Sequence, residues 1–153
     1  MRNLAYHRGW NAAKLERKQQ EFWRTINGNF IDTAVLEWCK VYGDQRAKHH
    51  WEKCVSDTAN FAEGLWQITG KTEEEFEQYR VVVRAYRDKF VAHLDELNQM
   101  QIPDLQPALE SIRYLYQHLV DVEDDVDAFV DLPPNANRYY QTHLTEGKAA
   151  HRE

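Results

Sequence analysis

Apolar residues recur along most of this chain at three- and four-residue steps, the spacing that gathers them on one side of a helix. The clearest case is Phe76 to Leu97, where Phe76, Tyr79, Val83, Tyr86, Phe90, Leu94 and Leu97 form one stripe, charge fills the other faces, and neither Gly nor Pro interrupts. Thr72 followed by Glu73, Glu74 and Glu75 predicts its start, an N-cap and then anions where the helix dipole favours them. Upstream, residues 3 to 26 read as a first long helix with Leu4, Trp10, Ala13, Phe22, Trp23 and Ile26 inward, ended by Asn27-Gly28-Asn29. A second helix is expected from Asp32 to Tyr42, with Ala34, Val35, Trp38, Cys39 and Tyr42 on one side and Gly43-Asp44 closing it. Asp57 is placed to cap a third, Thr58 to Thr69, which Gly70 stops. Pro103-Asp104 opens a last long helix carrying Leu105, Leu109, Ile112, Leu115, Tyr116, Leu119 and Val122 inward, with Pro107 in the first turn, where a missing N–H costs little.

No strand pattern or internal repeat appears, so the expected fold is all-α, an antiparallel bundle of four or five helices over residues 1–131. Residues 132–153 read as an extended polar tail, ordered by packing on the body or on another chain. The length, 153 residues, suits one domain, and with 42% hydrophobic residues, 6 Gly and 4 Pro the composition is that of a helical globular protein. Five Trp and eight Tyr predict an aromatic core. No apolar run reaches the roughly 20 residues of a membrane span, and a cytoplasmic protein with no membrane partner is expected. Cys39 and Cys54 fit no CxxC pattern and are expected as free buried thiols.

The net charge of −6 argues against a broad basic surface that coats nucleic acid. Fifteen of the nineteen Lys and Arg residues nevertheless precede residue 90, and the six acids between Asp121 and Asp131 have no base among them. Room remains for a local basic groove. Lys14, Arg17 and Lys18, with Arg24, are spaced to share a face of the first helix, where a solvated surface is the simpler reading and guidance of an RNA backbone the functional one.

Phosphate-loop, dinucleotide and HExxH motifs are absent, and no cofactor is expected. His49, His50 and Cys54 are the metal candidates; adjacent histidines diverge by about 100° on a helix, so they are read as surface or loop residues and no metal site is assigned. There remain Arg87, Asp88 and His93. An arginine and a histidine in one shielded cleft suit RNA phosphodiester cleavage, the imidazole taking the 2′-hydroxyl proton and the guanidinium holding the charge that grows on phosphate. Asp88 could hold Arg87 in position, or pair with Arg84 one turn back. Spacing alone carries little weight, since Arg2/His7, Arg113/His118 and Arg138/His143 also pair an Arg with a His five residues on. On an α-helix, six residues give about 9 Å of rise and about 240° of rotation, so one copy makes a poor site and a homodimer is needed to bring two copies into one cleft.

The run YRDKFVAHLDE, Tyr86 to Glu96, resembles the signature of HEPN domains, helical bundles whose motif is Arg, a polar residue, then His after a gap of four to six. It is most similar to the branch associated with bacterial abortive infection, and LEWCKVYGD...HHW, Leu36 to Trp51, resembles a companion stretch. The resemblance spans about Trp10 to Tyr116 and implies a homodimeric, metal-independent RNase of the toxin or phage-defence kind, with a neutralising antitoxin-like partner. It also implies Arg87 and His93 as catalytic and Asp88 as the supporting polar residue; Lys89 and Arg84, close to them in the sequence, are expected to bind RNA. The Tyr two positions after His that marks one toxin–antitoxin branch is replaced here by Asp95. The alternative is a dimeric helical module that binds RNA, nucleotide or protein and does not cut.

Overall fold

The structure, a computed structural model, describes residues 1–12, 20–92, 101–123 and 131–150. Among the described residues it is all-helical. Helix α1 (Arg2–Ala12) pairs antiparallel with α2 (Gln20–Trp38), which widens into a π-helical turn at Cys39–Gly43. A loop with a 3-10 turn at Trp51–Lys53 leads to α3 (Thr58–Thr69). Next come α4 (Glu73–Tyr86), continued by a second π-helical segment at Arg87–Ala92, then α5 (Gln106–Asp121) and α6 (Ala136–Ala149). No described helix is long and apolar enough to cross a membrane.

Local chemistry accounts for most of the helix ends. The Asp57 carboxylate accepts from the Asn60 N–H at 3.1 Å, and Gly70, left-handed at φ 64°, ends the same helix. Thr72 and Glu75 form a reciprocal capping box at the start of α4, each side chain accepting from the other's backbone N–H at 3.2 and 2.8 Å. The expected break at Asn27-Gly28-Asn29 does not occur, because α2 runs straight through it. Asn27 spends its side chain on α1, pairing with His7 at 2.8 Å and Asn11 at 3.1 Å, so the amide does not compete for its own backbone.

Aromatic rings carry the centre of the bundle. Trp38 stacks on Tyr42, Tyr42 on Trp51 and Trp51 on Phe61, and Phe61 reaches Tyr114 and His118 of α5, with successive centroids 4.7–6.5 Å apart. One buried polar knot crosses it. Trp38 Nε1 donates to Ser111 Oγ at 2.9 Å, and the Tyr42 hydroxyl donates to the Ser111 carbonyl at 2.8 Å, so both ring donors are satisfied out of water. Phe76, Val83 and Tyr86 of the α4 stripe are buried as expected, whereas Phe22 and Val122 are exposed rather than inward. Val122 lies just beyond the last turn of α5, where the helical stripe no longer directs it.

Residues 136–149 are not extended. They form α6, capped by Asn135 and laid mainly on α1, which buries Tyr140. The C-terminal stretch is thus ordered by the body of the same chain.

Candidate functional site

The capping box starts α4 so that Arg80, Arg84 and Arg87, at steps of four and three, follow one side of the helix towards the end of α2. There the π-helical turn closes with Gly43 and Asp44. Arg80 Nη1 donates to the Gly43 carbonyl at 2.9 Å while its Nε bonds Glu77 at 2.7 Å. Asp44 takes the other two arginines. Its Oδ2 accepts from Arg87 Nη1 at 2.6 Å, and its Oδ1 lies 3.8 Å from Arg84 Nε. Arg87 Nε donates in turn to Asp88 Oδ1 at 2.8 Å. Gly43 permits this approach: a Cβ there would stand 3.0 Å from Cys39 Cβ and 3.3 Å from Arg84 Cγ.

The Arg87 side chain is only 16% exposed. Burial works against its charge, but the hydrogen bonds to Asp88 and Asp44 outweigh it and hold the pKa above the ordinary arginine value. Cys39 sits fully buried beside this pair. Burial pushes its thiol up to about 11, with Arg87 pulling it down and Asp44 pushing it further up. Both cysteines are free thiols, as expected, but Cys54 is partly exposed rather than buried. Burial thus both disfavours the Cys39 thiolate and blocks the reagent. Iodoacetamide is therefore expected to label Cys54 at least about tenfold faster, read by peptide mass spectrometry; equal rates would contradict a closed packing around Cys39.

The structure brings Arg87 and Asp88 together and sets Arg84 beside Asp44, the second carboxylate that holds Arg87, while Lys89 is exposed next to them. His93, Lys14, Arg17 and Lys18 lie outside the described residues. Asp44 is the site residue that the sequence reading missed, having been taken only as the close of a helix, although it stands in the stretch LEWCKVYGD that carried the family resemblance. The α-helical rotation expected from Arg87 to His93 ends outside the described residues, but its first part is described. Arg87–Ala92 is π-helical, with bonds from i to i+5, so each residue turns through less than the α-helical angle, and such segments are frequent at functional sites.

The histidines of the other Arg/His spacings have local partners: His7 on Asn27 at 2.8 Å, His118 on Glu123 at 3.0 Å and His143 on Glu146 at 2.9 Å. His50, read as a surface or loop residue, lies in the loop but is buried, its ring tilted against Trp51. Comparison with protein-family models, curated proteins and solved structures gives no match in any of the three.

Proposed function

We propose that the chain is a HEPN-like, metal-independent endoribonuclease of the toxin or phage-defence kind, working as a homodimer. The observation that carries this is the grip of Asp44 and Asp88 on Arg87, at the junction where two π-helical turns meet. The two carboxylates occupy two of the five guanidinium N–H groups and fix the plane of the fork. The rest find no partner among the described residues and suit two phosphate oxygens. In the reaction one His93 takes the proton from the RNA 2′-hydroxyl, whose oxygen attacks the adjacent phosphorus. The P–O5′ bond breaks, and the partner copy's imidazole gives a proton to the leaving 5′-oxygen, which leaves a 2′,3′-cyclic phosphate. Lys89 and Arg84, with Lys14, Arg17 and Lys18, guide the RNA backbone, and an antitoxin-like protein covers the cleft.

The same grip favours a second reading. Two carboxylates balance the charge of Arg87, which suits a dimeric module that binds RNA, nucleotide or protein without cutting. Incubation of the purified protein with RNA in the presence of EDTA separates the two. The nuclease reading expects a dimer by light scattering and fragments ending in cyclic phosphate, with rates at least about a hundredfold lower for Arg87→Ala and His93→Ala. Intact RNA, a monomer, or cleavage that survives both substitutions overturns it.

A further inference from the structure

A cleft of about 670 Å³ lies between the loop after α2, helix α3 and the first turns of α4. Its volume falls within the roughly 300–1,000 Å³ of small-molecule sites. Trp51 and Trp66 supply aromatic walls, and four carboxylates, Glu52, Glu73, Glu74 and Glu77, stand around them against the single cation of Arg80. Arg80 is itself bound to Glu77 and to the Gly43 carbonyl, so its charge is committed. At the floor His50 is 2% exposed, and its Nδ1 has no hydrogen-bond partner. Glu52 Oε2 stands 3.4 Å from that nitrogen. A buried polar atom left so costs about 1–3 kcal/mol. Burial lowers the pKa of His50, while Glu52 and the Tyr42 backbone raise it by less, which favours the neutral ring, and a neutral imidazole has one accepting nitrogen.

Negative charge therefore dominates this cleft, and its other side-chain donors, on Gln45, Gln78, Thr72 and the two indoles, are neutral. A phosphate or carboxylate ligand would meet four like charges. A bare metal ion would gain nothing from the tryptophan walls, whereas an ammonium carried on a hydrocarbon uses both, through charge pairing and cation–π contact. We propose that the cleft binds a linear aliphatic polyamine, one ammonium donating to His50 Nδ1 and Glu52, the methylenes lying on Trp51 and Trp66, and a second ammonium reaching Glu73 and Glu74. The number of carboxylates and the cleft volume favour a free polycation over one lysine side chain of a partner. The proposal stands independently of the ribonuclease reading.

Calorimetric titration of the full-length protein with spermidine, in magnesium and then without it, tests this. Saturable one-site binding is expected, weakened about tenfold in Glu73→Gln/Glu74→Gln and about threefold to thirtyfold in Trp66→Leu. Glu73 and Glu74 are exposed and Thr72 and Glu75 keep the cap, so the double variant retains its fold, as circular dichroism checks. No binding, equal displacement by magnesium chloride, unchanged affinity in both variants, or tighter binding of a lysine peptide than of spermidine would overturn the proposal.

Discussion

Phe61→Ala is expected to cost about 3–5 kcal/mol, the largest loss for any single side chain here, and to lower the Tm by roughly 6–20 °C. Phe61 is fully buried. Its ring lies 5.1 Å from Trp51, 4.7 Å from Tyr114 and 4.9 Å from His118, so it joins the loop after α2 and helix α5 to its own helix, α3. Alanine removes that bridge and leaves a hole between three elements that cannot all close on it. The cost thus combines lost transfer energy with an unfilled cavity. Phe61→Leu, which keeps most of the volume, should lose under half as much. Urea unfolding of both variants checks the ranking, and a Phe61→Ala protein within about 1 kcal/mol of wild type would mean that the aromatic series does not hold the bundle together.

What the sequence made legible was whatever is settled within one helical turn. Asp57, Gly70, Thr72 and Glu75 act on backbone groups three or four residues away, and each does what its type predicts. Asn27-Gly28-Asn29 misleads because the deciding contacts come from His7 and Asn11, across the hairpin. The same division runs through the site. Asp88 is adjacent to Arg87 and could be assigned as its support, while Asp44 is 43 positions away and is recognisable only once α2 and α4 are packed. His50 shows the limit of residue type alone, since a histidine beside a histidine in a polar loop gives no sign of its burial. Helix α6 was hidden by its composition: its apolar face is small, and its closest approach to α1 uses glycine, which reads as a breaker.

That approach gives the other large effect, an expected loss of about 3 kcal/mol for Gly9→Leu. A Cβ at residue 9 would stand 2.7 Å from the Leu144 carbonyl oxygen and 3.0 Å from Gly147 Cα, while one at Gly147 would meet the Tyr6 carbonyl oxygen at 3.0 Å. All of these obstacles are backbone, so no rotamer change relieves them and α6 must move. Around the crossing, the Tyr6 hydroxyl donates to Glu146 at 2.8 Å and lies 3.1 Å from His143 Nδ1, contacts that a displaced α6 gives up. On propensity alone, replacing a helical glycine with alanine is favourable by about 1 kcal/mol. Gly28→Ala isolates that term, because nothing lies within 4 Å of its added carbon, and it should stabilise the protein. Gly9→Leu should move in the opposite direction and open the segment from 131 to 150 to limited proteolysis while the Trp51–Phe61 region stays folded. If Gly9→Leu were as stable and as protease-resistant as wild type, α1 and α6 could not be packed glycine to glycine.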